Sequence, residues 1–235
     1  MATDGQTLLV LWDIDHTLIE TRGVGRSIYE RVFPETTGQP LRELATVHGR
    51  TELDIMHDTL QLHDIQPTEA AVNRLAAALA EGYHAAIDEL TTRGRVLPGV
   101  RQALDALQAE PGIHQSVLTG NTSDVARIKV EAFGLDRYLD LSVGAYGDDH
   151  RDRSELVGIA RKRAALQLGT TIPAEQVVLI GDTPGDVDAA LTAGAHVIAI
   201  ASGKYSVDDL RTAGAKSTLE TLTSLSQLLE ALTRR

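Results

Sequence analysis

The chain contains no cysteine, so no disulfide framework, thiolate nucleophile or thiolate-ligated zinc can belong to it. Any metal must therefore sit on oxygen or imidazole. No apolar stretch approaches the roughly 18 to 20 residues that span a bilayer, and Met1 to Val10 carries neither the basic start nor the cleavage signal of an export peptide. A cytoplasmic chain without a membrane partner is expected. Positive charge is also scarce: 22 Lys and Arg face 33 Asp and Glu, a formal charge of −11. Nucleic-acid affinity rests largely on clustered Lys and Arg, so the expected partner is a small substrate and not a nucleic acid. Internal repeats and low-complexity segments are missing too, apart from Ala-rich helical patterns that reflect helix propensity.

What is present is a chain of 235 residues, 43% hydrophobic and 23% charged, with 20 scattered glycines. That is one large domain or two small ones, able to bury a core. Short apolar runs alternate with helical patterns, the signature of a parallel sheet covered by helices. The expected strands are Leu8–Trp12, Gln115–Leu118, Leu141–Val143, Val177–Ile180 and His196–Ala201. Between them Gly99–Gln108, Asp124–Phe133, Arg153–Leu168 and Asp186–Ala193 carry apolar residues at mixed three and four spacing. Ser123 and Gly134 fit as caps of the second helix, and Ser217–Thr233 reads as a closing amphipathic helix. From about Thr21 to Arg95 the alternation stops and patterns such as Thr68–Leu90 suggest helices alone. The fold expected is α/β, a Rossmann-like core of residues 1–18 and 96–235 with a helical insertion at 19–95. The stretch Thr91–Gly99, punctuated by Gly94 and Pro98, serves as the return hinge.

In an open parallel sheet the ligand site lies beyond the carboxyl ends of the strands. The first strand runs into Asp13-Ile14-Asp15-His16-Thr17, two carboxylates at i and i+2 that share a face if strand geometry continues; a strand cap and a turn would use the same residues. A second strand ends in Thr119-Gly120-Asn121, where main-chain N–H groups near a helix start can cradle an anion, although an ordinary turn has the same composition. Beyond Ile180 comes Gly181-Asp182-Thr183-Pro184-Gly185-Asp186, with two more carboxylates four apart. Hard oxygen donors of this kind suit Mg²⁺.

In order and placement these segments resemble the motifs of the haloacid dehalogenase-like hydrolase superfamily: Asp-x-Asp-x-Thr, a Ser or Thr after a strand, and Gly-Asp-x-x-x-Asp. The insertion directly after the first motif resembles that superfamily's helical cap, and the resemblance covers essentially the whole chain. It implies phosphoryl transfer through an aspartyl phosphate, with Asp13 as nucleophile and Asp15 as general acid and then base. It also implies Mg²⁺ held by the Asp13 carboxylate, the Asp15 main-chain carbonyl and Asp182, with Asp186 nearby or acting through water. Thr119 and the amides of Gly120 and Asn121 would hold the transferring oxygens. The superfamily's third motif is a basic residue, most often Lys, at a helix start. This sequence departs there: Arg153 is the first candidate, Arg151 the second, Lys162 the third, and Asp148 is expected to orient the arginine or assist the metal. Position 16 departs as well, with His where most relatives have Gly.

Subclasses of the superfamily are separated by a few residues. Asp15 points to a phosphate ester and away from dehalogenation. The absence of Lys from the insertion removes the Schiff-base lysine of phosphonate cleavage; the chain's lysines are Lys129, Lys162, Lys204 and Lys216. Val47-His48-Gly49-Arg50-Thr51-Glu52 resembles the specificity loop of phosphoglycolate-phosphatase-like relatives, so Arg50 is expected to bind a carboxylate or second phosphate, with Arg22 and Arg26 as weaker candidates. His48, His57 and His63 are spaced unsuitably for a zinc site. The expected function is Mg²⁺-dependent hydrolysis of a small phosphorylated metabolite, phosphoglycolate or a sugar phosphate. A sugar phosphomutase and a non-enzymatic binding module are the alternatives.

Overall fold

A computed structural model describes residues 7–234; Met1–Gln6, which open the expected core and the segment read for an export signal, and Arg235 lie outside the described residues. The first apolar run forms β1 (Leu8–Trp12), every residue of it buried. Alternation sorts its side chains onto the two faces of a sheet. Leu8, Val10 and Trp12 enter one apolar cluster and Leu9 and Leu11 another, which explains why the run reads as continuously hydrophobic. After β1 the chain makes a tight turn to β2 (Ile19–Glu20), then four helices: α1 (Val24–Thr37), α2 (Glu52–Gln61), α3 (Glu69–Ala85) and α4 (Ile87–Arg93). It returns through β3 (Arg95–Val96), which pairs antiparallel with β2 through Ile19 with Val96 and Glu20 with Arg95. The outgoing and returning strands are thus stitched to each other, and the four helices between them share an apolar cluster built on Ile28, Phe33, Met56, Leu75 and Leu79.

The remainder alternates helix and strand: α5 (Val100–Ala109), β4 (Ile113–Val117), α6 (Ser123–Ala132), α7 (Arg153–Leu168), β5 (Val177–Gly181), α8 (Pro184–Thr192), β6 (His196–Ile200), α9 (Val207–Thr212), β7 (Ser217–Leu219) and α10 (Leu225–Thr233). The sheet order is β4-β1-β5-β6-β7, all parallel. The expected α/β Rossmann-like core is therefore what forms. At its centre the Trp12 indole N–H donates to Gln115 Oε1 at 3.1 Å, and Gln115 Nε2 donates to the Leu104 carbonyl at 3.1 Å, so the buried polar atoms are satisfied.

Three expected elements differ. Leu141–Val143 is a turn and no strand: Asp140 Oδ1 accepts from the Ser142 hydroxyl at 2.6 Å and its N–H at 3.1 Å, a local bond that competes with a ladder. The segment still follows the β4 edge, through a single bridge of Ala145 to Leu118. Ser217–Thr233 is β7 followed by α10, because Ser217–Leu219 extends the open edge of β6, which a helix there would leave unpaired. Thr68–Leu90 breaks at Ala86 into α3 and α4, although Thr68 does cap the first by accepting from the Ala71 N–H at 3.2 Å. Among the described residues no helix is long and apolar enough to cross a membrane.

Candidate active site

Parallel strands deliver their carboxyl ends to one edge, and β1, β4 and β5 bring the singled-out segments there together. Asp13 follows β1 directly, its N–H donating to the Ile180 carbonyl at 2.8 Å. Asp182 follows β5. Asp186 lies in the first turn of α8, where it and Thr183 form a reciprocal capping box: Asp186 Oδ2 accepts from the Thr183 N–H at 3.0 Å and hydroxyl at 2.7 Å. Carboxylate oxygens of Asp13, Asp182 and Asp186 all lie within 4.8 Å of one another, and the three residues are buried. Gly181 is required by this arrangement, since a Cβ there would sit 2.3 Å from the Asp186 carboxyl carbon.

Arg153, at the first turn of α7, reaches into this group. Its Nη2 donates to Asp13 Oδ1 at 2.9 Å and Asp186 Oδ1 at 2.6 Å, and its Nε donates to Asp186 at 3.1 Å. Of the other two candidates for the basic position, Arg151 pairs with Asp54 of α2 at 2.6 Å, and Lys162 is exposed along α7. Asp148 lies elsewhere than expected: both its oxygens bind Ser123, the N–H at 2.9 Å and the hydroxyl at 2.8 Å, so it closes the N-terminus of α6. Ser123 is consequently the first helical residue and Thr122 occupies the cap position, while Gly134 (φ +62°) terminates the helix as expected.

Burial, opposed by Arg153 and reinforced by Asp186 and Asp15, pushes the Asp13 carboxyl up to about 7. Burial and then Asp13 push Asp182 to about 9. Its Oδ1 is buried with no hydrogen-bond partner among the described residues. An orphaned oxygen in a cluster of acids that repel one another fits a hard divalent cation, whose charge would remove the repulsion.

Asp15 leaves this group. Lys129 Nζ donates to both its oxygens, at 2.9 and 2.7 Å, and Asn121 Nδ2 donates to Oδ2 at 2.8 Å. Burial raises the Asp15 carboxyl, but Lys129 and Asn121 outweigh it and hold it below the ordinary range. Lys129 also donates to Asn121 Oδ1 at 2.7 Å, and Asn121 Nδ2 donates to Thr119 Oγ1 at 2.8 Å. Sequence reasoning missed Lys129. The signal was available: it sits on the buried stripe of α6 with Val125, Ala126 and Val130, and a charge on an apolar stripe has to find a partner.

These residues line a cavity of about 270 Å³ between the sheet edge and the helical insertion. Asp13, Asp15, Thr119, Gly120, Asn121, Arg153 and Asp182 form its floor; Tyr29, Glu52 and Tyr83, from α1, α2 and α3, form its roof. The loop entering α2 closes the side: the Glu52 N–H donates to the Gly120 carbonyl at 2.7 Å, and the Thr51 hydroxyl to the Arg151 carbonyl at 2.7 Å. Arg50 borders the cavity, but its guanidinium is directed to Asp54 and Asp58, at 2.6 Å each, and not to a substrate anion. Arg26 is likewise paired with Glu30, and Arg22 with Glu20. His16 occupies a left-handed turn (φ +61°), the conformation glycine adopts without strain. His63 is held at both ring nitrogens, by the Thr59 carbonyl at 2.7 Å and the Arg42 N–H at 2.8 Å.

A family model for haloacid dehalogenase-like hydrolases matches residues 10–191, and a second, hydrolase-like model matches 156–228. The chain is 30% identical to a phosphoglycolate phosphatase of Rhodospirillum rubrum over 94% of this chain and 90% of that one. It is 25% identical to the tyrosine-protein kinase PtkA of Mycobacterium tuberculosis over 95% of this chain and 72% of the relative. A hydrolase from Pseudomonas syringae has the same fold, with a TM-score of 0.69, 22% identity, and coverage of 96% of this chain and 98% of that one. With the motifs gathered at one sheet edge and the family match spanning most of its length, the chain belongs to the haloacid dehalogenase-like hydrolases.

Proposed function

We propose that the chain is a Mg²⁺-dependent phosphomonoester hydrolase that acts on a small phosphorylated metabolite through an aspartyl-phosphate intermediate. The observation that carries this reading is the Asp13 carboxylate, opening on the cavity with Arg153 on one oxygen and Asp15 two residues on. Asp13 attacks phosphorus in line, forming the acyl phosphate as the ester oxygen departs. Arg153 favours the ionised carboxylate that this step needs. Asp15 protonates the departing oxygen and then takes a proton from the water that cleaves the acyl phosphate, restoring Asp13. The Lys129 ammonium suits the second half, in which Asp15 begins as a carboxylate; in the first half the incoming phosphate dianion supplies the negative charge that favours a proton on Asp15. The Thr119 hydroxyl and the N–H groups of Gly120 and Asn121 bind the transferring oxygens. Mg²⁺ on the Asp13 and Asp182 carboxylates and the Asp15 carbonyl, with Asp186 adjacent, would supply the positive charge that lets an anionic nucleophile meet an anionic phosphate.

The pairing of Arg50 with Asp54 and Asp58 favours hydrolysis over the mutase alternative, since a mutase has to hold a second phosphate. Phosphate release from a panel of phosphorylated metabolites, with Mg²⁺ and with EDTA, tests the proposal. Asp13→Asn should lower release by about three orders of magnitude or more. Near-normal turnover in that variant would show that another group attacks phosphorus.

A further inference from the structure

The roof of the cavity has an unusual charge balance. Each cation in its wall already has a carboxylate: Lys129 is bound to Asp15 at 2.7 Å, Arg50 to Asp54 and Asp58, Arg26 to Glu30 at 2.9 Å, and Arg153 to Asp13 and Asp186. All three hydrogen bonds an ammonium can donate are used by Lys129 on Asp15 and Asn121. Glu52 has no such neutraliser. Its Oε1 accepts from the Tyr29 hydroxyl, and among the described residues its Oε2 has no protein hydrogen-bond partner and no cation lies within ion-pair distance of it. Burial raises its carboxyl above the ordinary range, with Tyr29 and Lys129 opposing. An unpaired carboxylate aimed into a substrate cavity repels a second carboxylate and accepts from a hydroxyl or ammonium.

Resting on the phosphatase reading, we infer that Glu52 is a specificity-determining residue: it selects a phosphate ester whose leaving group is uncharged or cationic and carries a hydrogen-bond donor, and rejects one bearing a carboxylate. The chemistry is shared by polyol and amino-alcohol phosphates. Phosphoglycolate lies outside it, despite the relative of that name.

The test measures kcat/KM with Mg²⁺ on glycerol 3-phosphate, phosphoethanolamine, phosphoglycolate and 3-phosphoglycerate, with p-nitrophenyl phosphate as a generic ester. For the native chain the better of the first two should exceed phosphoglycolate by at least about tenfold, the scale of a charged hydrogen bond; whichever wins distinguishes the hydroxyl source from the amine source. Glu52→Gln should shrink that ratio by about tenfold, whereas Glu52→Asp, which keeps the charge, should keep it within about threefold. A native preference for phosphoglycolate or 3-phosphoglycerate, or an unchanged ratio in folded Glu52→Gln, overturns the inference and leaves the phosphatase intact. Absence of metal-dependent release from every ester, p-nitrophenyl phosphate included, overturns the phosphatase reading and the inference with it.

Discussion

Arg153 is a buried cation shared by two buried carboxylates, 8% exposed beside Asp13 at 6% and Asp186 at 0%. Removing one partner of such a group leaves uncompensated charge, at a cost of about 3–5 kcal/mol. Arg153→Ala should therefore lower both the melting temperature and turnover, and Mg²⁺ should return part of the stability by replacing the lost positive charge. A melting temperature indifferent to the substitution would mean that the pairs contribute nothing net. Lys129 acts on Asp15 in a similar way, and its removal has a definite sign. Because Lys129 holds the Asp15 carboxyl low, Lys129→Met should raise it and move the acid limb of the kcat–pH profile to higher pH. The Asp15 contribution to stability is present above its unfolded pKa and lost as pH falls through the lower folded value; that of Lys129, raised by Asp15 against the opposing effect of burial, is lost only as pH rises through its folded value. The variant should thus be less stable across the neutral range, readable by denaturant titration at pH 7.

At the scale of elements, the insertion's loop approaches the core closely through main chain as well as through the Thr51 hydroxyl. A Cβ at Gly120 would lie 2.1 Å from the Arg50 carbonyl oxygen, and one at Gly147 would lie 1.8 Å from the Gly120 carbonyl oxygen. Both neighbours are backbone, which cannot swing aside as a flexible side chain does. Gly120→Ala should therefore push the Arg50–Glu52 segment away from the site, raising KM and lowering kcat on metabolite esters. Gly158 provides the contrast within α7: a Cβ there meets nothing within 4 Å. Gly158→Ala should stabilise the chain by about 0.5–1 kcal/mol through the helix and the unfolded state, with turnover unchanged. If thermal unfolding shows the two substitutions to be equivalent, the backbone-contact argument fails.

At the scale of the whole molecule, the acid cluster makes stability depend on pH and metal together. Asp13 and Asp182 are raised to about 7 and about 9. For groups raised on folding, the stability they contribute is present below the unfolded carboxylate pKa, about 4, and is lost as pH rises through the folded values. In EDTA the protein should lose stability from about pH 5 towards pH 9 relative to its metal-loaded form. Saturation with Mg²⁺ at about a hundred times its dissociation constant should add about 2.7 kcal/mol, roughly 5–10 °C for a chain of this length. Calorimetry at pH 5.5 and 8.5, with and without Mg²⁺, checks the sign: the metal-induced shift should be larger at the higher pH.

The parallel sheet and the acids at the ends of its strands were legible in the sequence because each rests on short-range pattern, whereas the order of the strands came only from the fold. Leu8–Trp12 is apolar on both faces, and Asp13 and Asp182 stand at the ends of apolar runs, with Asp15 and Asp186 two and four residues further on. The choice of Arg153 over Arg151 and Lys162 had a local cue in its place at the helix start, but only the fold brings it to Asp13, 140 residues away in sequence. Elements at the sheet edges were less legible: whether Ser217–Leu219 extends or coils depends on the open side of β6. Least legible were the Asp15–Lys129 pair, separated by 114 residues, and the roof of Tyr29, Glu52 and Tyr83. Sequence spacing carries periodicity along one element, whereas the balance of charge in a cavity is set by which elements meet across it. The sequence by itself thus determined the sheet and the acids at its edge; the tertiary structure decided which charges are already paired and which one is left beside the cavity.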